Sequence, residues 1–376
     1  DIAGVKFPQD SMVRRMKGPA GTEVNILVKR GSEQIPFKIK RGKIPVHCVD
    51  ASFMINDTTG YIRLSKFSVT TFEEVSAAGK NLLAKGMKHL IFDLRDNSGG
   101  YLDQALLLSD MFLEKGDEIV YLQGLHHKRE DYKADGKGIL KNVSLSVLVN
   151  ENSASSSEIF AGAIQDNDRG TIVGRRSFGK GLVQESKFFN DGSGIRLTIA
   201  RFYTPSGRCI QKPYSSDYQY DIYKRYADGE MFDRDSIKVD STEIYHTVGG
   251  RIVYGGGGIV PDVFVPVDTT LATKYFIKCN KKATQMRFAS YIFDKYGKRL
   301  SSIDNYPFLD ELDIPSKFQA YAASVDGIIA ADGEWKMTAP YMVPQLRALI
   351  GRYSKLSDNA FYRIYLEIDD VVKAAL

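Results

Sequence analysis

The sequence predicts a mixed α/β protein in three parts: a small α+β unit at residues 1–45, a layered α/β core at 46–268 and a helical domain at 269–376. Three observations carry this. Between about residue 58 and residue 203, apolar runs of strand length alternate with stretches of helical period, the pattern of parallel strands joined by crossover helices. A chain of 376 residues exceeds what one core organises, since domains commonly hold about 100–200. Beyond Asp268 the strand signals stop, and Phe308–Val325 and Val343–Val372 are amphipathic at helical spacing.

In chain order, Ser11–Met16 carries a short helical pattern, and Val24–Val28 and Ile35–Ile39 form two strands around an Arg30-Gly31 turn. Gly60–Leu64 reads as a strand, Thr71–Lys85 as a helix, His89–Leu94 as a buried strand and Leu102–Leu113 as a helix. Ser144–Val149, Thr171–Val173 and Ile195–Phe202 read as further strands. Residues 213–250, rich in Tyr and Asp with little apolar periodicity, read as a long surface insertion.

Composition narrows the functional classes. With 43% hydrophobic and 26% charged residues the chain has a globular balance, and no apolar run approaches the ~18 residues of a membrane-spanning helix. A formal charge of +5, spread along the sequence, does not point to nucleic acid. Three scattered cysteines, Cys48, Cys209 and Cys279, make neither a disulfide framework nor a zinc motif. The chain begins DIAGVKF, with no basic or apolar leader, and reads as a processed product.

The chemistry concentrates in two segments, VNENSASSSEIF from Val149 and FGKG around Lys180. Asn152 and Ser153 are good N-cap residues for a helix at about 155–165, and one of the serines must serve as its cap. A helix N-terminus also offers free N–H groups to an oxyanion. A helix of that length, followed by a strand at 170–174, carries the chain out and back by comparable distances, so Lys180 can return to the helix start. Asp166 lies three turns further along, away from the serines, and no histidine carries a local motif. A lysine base is the economical reading, and such a lysine must shed its proton, which burial favours. In Asp93-Leu94-Arg95-Asp96-Asn97-Ser98-Gly99-Gly100, between a buried strand and a helix, the glycines can turn N–H groups toward a developing negative oxygen.

Taken together, DLRDNSGGYLDQA, VNENSASSSEIFAGAIQDNDRGTIVGRRSFGKGLVQE, RFYTPSGRCIQ and GGIVPDVFVPVD resemble, in order and spacing, the signature segments of the C-terminal processing peptidases, the tail-specific serine proteases with a Ser-Lys pair. The resemblance spans about residues 1–268. It implies a layered crotonase/ClpP-like protease core, with Ser155 as nucleophile, Lys180 as base and Gln184 orienting the lysine. Ser153, Ser156 and Ser157 become a cap and neighbours, and Asp166 a structural residue. The oxyanion donors carry over as the backbone N–H groups of Gly99 and Ser156, where Ser156 replaces the family's usual alanine.

Residues 1–45 resemble the second half of a PDZ domain, the family's tail sensor, whose first half is not in this chain. The resemblance further implies polypeptide substrates with apolar C-terminal tails, no metal or organic cofactor, no nucleic acid and a periplasmic or otherwise extracytoplasmic site of action. It suggests a homodimer through the C-terminal helices. Two rivals stand beside the protease: a catalytically silent peptide-binding adaptor on the same fold, and a crotonase-like acyl enzyme, which the lack of a phosphate-binding glycine loop disfavours.

Overall fold

The computed structural model describes residues 6–43, 47–214, 218, 220–269, 273–300, 309 and 311–376. Two compact units emerge, Asp1–His47 and Cys48–Leu376. The first holds helix α1 (Gln9–Met16) and an antiparallel hairpin of β1 (Glu23–Arg30) and β2 (Glu33–Lys40). Arg41 ties these together, donating from Nε to the Met16 carbonyl at 2.8 Å and from a terminal nitrogen to the Glu23 carbonyl at 2.9 Å.

The second unit opens with β3 (Val49–Met54) and β4 (Thr59–Leu64), then α2 (Thr71–Ala84), β5 (His89–Asp93) and α3 (Leu102–Asp110). It continues through β6 (Glu118–Gln123), β7 (Glu130–Lys133), β8 (Ser144–Val149), α4 (Ser156–Asp166) and β9 (Thr171–Gly174). After β10 (Leu182–Phe188), β11 (Gly194–Tyr203), α5 (Asp221–Ala227), β12 (Ile244–His246), β13 (Ile252–Tyr254) and β14 (Val263–Phe264), the chain is helical. The main sheet has the order β14-β9-β8-β5-β4-β3, parallel except at the β3 edge. A second, antiparallel sheet runs β10-β11-β6-β7.

The direction of this march explains the layering. From β4 through β5, β8 and β9 each crossover steps the same way, so right-handed connections put α2, α3 and α4 on one face. Leu90, Phe92, Val147 and Ile172 point there, into a core with Val75, Leu108 and Phe160. Their alternate neighbours Tyr61, Ile91, Leu148 and Val173 point the other way and need a different cover. The end of the chain supplies it: Leu366, Val371, Val372 and Ala375 pack on that face.

This corrects the expectation of a separate C-terminal domain. The helices Lys274–Lys281, Thr284–Leu300, Ile314–Asp326 and Glu334–Gly351 do share a core of their own around Phe288, Phe318 and Leu346. Yet the amphipathic stretch predicted as 343–372 breaks into Glu334–Gly351, Asp358–Tyr365 and Asp370–Ala375, and its last part is a layer of the sheet. Phe308 lies outside the described residues.

Residues 213–250 are likewise more than a surface excursion, though 215–217 and 219 lie outside the described residues. Arg225 and Glu230 are buried and paired at 2.7 Å, and Glu230 also binds Arg176. Arg225 donates to the carbonyls of Ser177 at 3.0 Å and Arg176 at 2.7 Å, so the insertion braces the segment leading to Lys180.

Candidate active site

The loops after β5 and β8 leave the sheet side by side at the carboxyl ends of parallel strands, where α/β sheets place their ligands. Buried Asn97 laces them together. Its carbonyl accepts from the Ala154 N–H at 3.0 Å and the Ser157 hydroxyl at 2.8 Å, and its amide donates to the Leu64 carbonyl at 2.8 Å. Ser153 donates to the Leu94 carbonyl at 2.8 Å and accepts from the Asn150 N–H at 3.0 Å. It therefore buttresses the loop and is not the cap expected of it. The N-cap of α4 is Ser155 itself.

Ser155 has φ 57° and ψ −117°. A non-glycine residue there costs on the order of 1–3 kcal/mol, a strain that persists only where the surroundings impose it. They do so through Glu158, the third residue of α4 and fully buried. One carboxylate oxygen, Oε2, accepts from the Ser155 N–H at 2.9 Å and from the Lys180 N–H at 2.8 Å. The other, Oε1, accepts from the Gly179 N–H at 2.7 Å and the Ser177 hydroxyl at 2.5 Å. The backbones of the serine and the lysine thus meet on a single oxygen atom. Burial pushes the Glu158 pKa above the usual carboxylate range, and the four donors offset only part of that rise.

The lysine loop is fixed from its other side as well. Gly181 donates to Gln211 Oε1 at 2.9 Å, and the Gly179 carbonyl accepts from the Lys212 N–H at 3.0 Å. Gly179 has φ +85°, and a Cβ on Gly181 would fall 2.9 Å from the Gln211 nitrogen, so glycine is required at both.

Ser155 and Lys180 line one cleft of about 470 Å³, together with Gly100, Tyr101, Gln184 and Arg196. Among the described residues no carboxylate pairs with the Lys180 ammonium group. Gln184 borders the same cleft, but its amide donates to the Thr198 hydroxyl at 3.4 Å, so the expected bond to Lys180 is not formed.

The oxyanion donors need a correction of the same kind. Ser156 is the first residue of α4, and its N–H has no intrahelical acceptor. Gly99 sits where predicted, so close that a Cβ would lie 2.6 Å from the Ala154 carbonyl and 2.8 Å from the Ser156 nitrogen. Its N–H, however, is donated to Asn97 Oδ1 at 2.9 Å. Gly100, with φ +155°, is the glycine that borders the cleft.

Behind the loop lies a charged cluster. Burial opposes ionisation of Asp93, but Arg95 and Arg63 outweigh it and hold its carboxyl well below the usual range. Arg95 also makes two bonds to Asp369, at 3.0 and 2.7 Å. The chain's end is therefore tied to the loop that presents Gly99 and Gly100. Asp166, at the far end of α4, is buried against Arg208 at 2.7 Å and accepts from the Ser206 hydroxyl at 2.7 Å. It has no place in the cleft.

Residues 58–222 match the family model "Peptidase family S41". The matched stretch contains Ser155, Lys180 and Gln184. The resemblance to the C-terminal processing peptidases read from the sequence holds. A probable CtpA-like serine protease of Staphylococcus epidermidis (strain ATCC 12228) is 37% identical over 205 residues, 54% of this chain and 41% of that protein. One from Staphylococcus aureus (strain N315) is 38% identical over 206 residues, 54% of this chain and 40% of that one. The chain thus spans about two fifths of the length of these relatives. Among solved structures, a photosystem II D1 C-terminal processing protease is 27% identical, with a TM-score of 0.44, over 66% of this chain and 57% of that one.

Glu158 and Asp369 were missed in the sequence. Glu158 had a signal: Ser155-Ser156-Ser157-Glu158 before an apolar run has the spacing of a capping box. Asp369 had none, since its partner is 274 residues away.

Proposed function

We propose that this chain is a serine endopeptidase of the C-terminal processing type, with Ser155 as nucleophile and Lys180 as general base. The observation that carries the proposal is the junction at Glu158, which brings a strained serine and a lysine with no carboxylate partner among the described residues to the border of one cleft. In the acylation step Ser155 Oγ attacks the scissile carbonyl carbon, and unprotonated Lys180 Nζ takes the hydroxyl proton. The tetrahedral oxyanion collapses, the C–N bond breaks, and Lys180 returns the proton to the leaving amine. Water, deprotonated by the same amine, then attacks the acyl carbon, the C–Oγ ester bond breaks, and Lys180 gives the proton to Ser155 Oγ as the carboxylic acid product leaves.

The Ser156 N–H supplies one oxyanion donor. The second comes from the glycine loop, either from Gly100 or from Gly99 once its N–H leaves Asn97. Gln184, already on the cleft wall, orients Lys180 when substrate displaces it from Thr198. Apolar Leu102, Ile159 and Leu182 on the cleft wall suit apolar polypeptide tails. An extracytoplasmic site of action, a PDZ-derived role for residues 1–45 and pairing through the C-terminal helices belong to the same proposal.

The test is digestion of an unstructured protein such as casein, with mass spectrometry of the fragments. The parent chain is expected to cut, and Ser155→Ala and Lys180→Ala are expected to leave the substrate whole. Equal digestion by either variant overturns the assignment. If the parent chain binds the substrate and leaves it whole, the adaptor reading takes its place.

A further inference from the structure

We infer that Arg196 is a specificity residue that draws a carboxylate of the polypeptide lying in the cleft. The inference rests on the proteolytic reading above and adds to it the charge of the substrate.

The β10–β11 ribbon begins just past Lys180, and β10 is the edge strand of its sheet. Its outer backbone edge has no strand partner there, which is the geometry that accepts an extended peptide as an added strand. Register decides which side chains such a peptide meets. Ser186 pairs with Arg196 and Gln184 with Thr198, while Glu185 pairs with Leu197 and Lys187 with Ile195. Alternation puts the first set on one face and the second on the other. Ser186, Gln184 and Arg196 border the cleft with Ser155 and Lys180, so theirs is the face turned to the substrate.

The charge of that cleft is one-sided. Among the described residues that border it, Lys180 and Arg196 are the charged ones, and none is a carboxylate. Arg196 donates from Nε to the Ser186 hydroxyl at 3.4 Å and makes no ion pair among the described residues. Elsewhere on the molecule arginines near the core find carboxylates, as Arg95, Arg176 and Arg208 do. A guanidinium has five donors in a planar fork that fits a carboxylate with two parallel bonds, and here that fork is open. Ser186 lies about 13 Å along the strand from Leu182, so the group read by Arg196 sits about four residues from the scissile bond. The carboxylate has two possible sources, an Asp or Glu side chain and the α-carboxylate of the substrate's own C-terminus.

Binding measured on the full chain carrying Ser155→Ala separates this inference from catalysis. Short fluorescent peptides would bear Glu, Gln or Lys about four residues from an apolar cleavage point, each as free acid and as terminal amide, with anisotropy as the readout. The Glu peptide is expected to bind roughly fivefold more tightly than the Lys peptide, the size of a solvent-accessible charge pair. Adding Arg196→Gln should erase the difference and Arg196→Glu should reverse it.

Preference that survives amidation assigns the side chain as the source, and preference that follows the free acid assigns the α-carboxylate. Either supports an anion-reading arginine. The same ranking in all three proteins, or no binding by any peptide, overturns it. Cleavage of these peptides by the chain with Ser155 intact is scored separately. Arg196-dependent binding without cleavage defeats the protease reading alone, and cleavage with an unchanged ranking defeats the Arg196 inference alone.

Discussion

Around Ser155 the side chains of Asn97, Ser153, Ser157 and Glu158 are buried and hydrogen-bonded, whereas Gln184, Ser186 and Arg196 on the opposing ribbon are exposed. Both walls belong to one cleft. The first is held by charge-assisted and buried hydrogen bonds, which in a low-dielectric interior cost most when broken. The second is held by ladder hydrogen bonds between two strands, and its side chains can change with little loss. On the proposed mechanism the chemistry belongs to the rigid wall, where a strained serine can be maintained, and the selectivity to the adaptable one.

Substitutions can break that contrast. The largest effect is expected at Lys180: Lys180→Ala should lower kcat by on the order of 10^4-fold with the unfolding midpoint preserved, as measured on a quenched peptide. Lys180→Arg should do the same, because a guanidinium keeps its proton. Retention of a tenth of the parent rate by either would remove the lysine from the mechanism.

Next comes Asp166→Ala, which leaves the fully buried Arg208 without its carboxylate and should cost about 3–5 kcal/mol in urea unfolding. Turnover per folded molecule should stay near the parent value. A chemistry-specific loss would move Asp166 into the site.

Glu158→Gln sharpens the comparison, because it changes the joint between serine and lysine and leaves both reacting groups intact. Two of the four donors would then face an NH2 group, at a cost of about 2–3 kcal/mol, and kcat should fall by on the order of 10^2-fold as the two backbones part. A stability loss with unchanged kcat would reduce Glu158 to a cap.

Acid should act on the rigid wall in a defined window. Asp93 has a depressed folded-state pKa, so its contribution is fully present above the ordinary carboxylate value of about 4 and is lost as pH falls below it. Thermal unfolding should show a loss of about 1 kcal/mol by pH 3 from this group. Stability that rises on acidification would contradict its pairing with Arg95 and Arg63. The smallest effect is expected at exposed Gln184, where alanine should lower kcat/KM by about fivefold, the size of one orienting hydrogen bond to Lys180.

Much of this was legible in the chain. The strand periods at His89–Asp93 and Ser144–Val149, and the helix starting after Ser155, were visible because alternation and 3.6-residue spacing are local. The edge strand β3 and the ribbon strand β10 were missed, since VDASFM and LVQESKF each mix polar and apolar residues without a clean alternation. At the site, Ser155 and Lys180 could be named from ordered motifs. The availability of an N–H could not: Gly99 looks free in the sequence and is engaged by Asn97 two residues earlier.

The sequence by itself determined the alternating α/β core, the serine and lysine and the glycines that let their loops approach, because each is written in residues close together along the chain. Only the tertiary structure decided that Glu158 joins the two loops, that Asp369 reaches the glycine loop through Arg95, and that the last helix roofs the second face of the sheet. Those contacts link positions 22 to 274 residues apart, or arise from the handedness of the crossovers. A buried carboxylate or an uncovered apolar face constrains what must meet it and leaves open which distant residue does so.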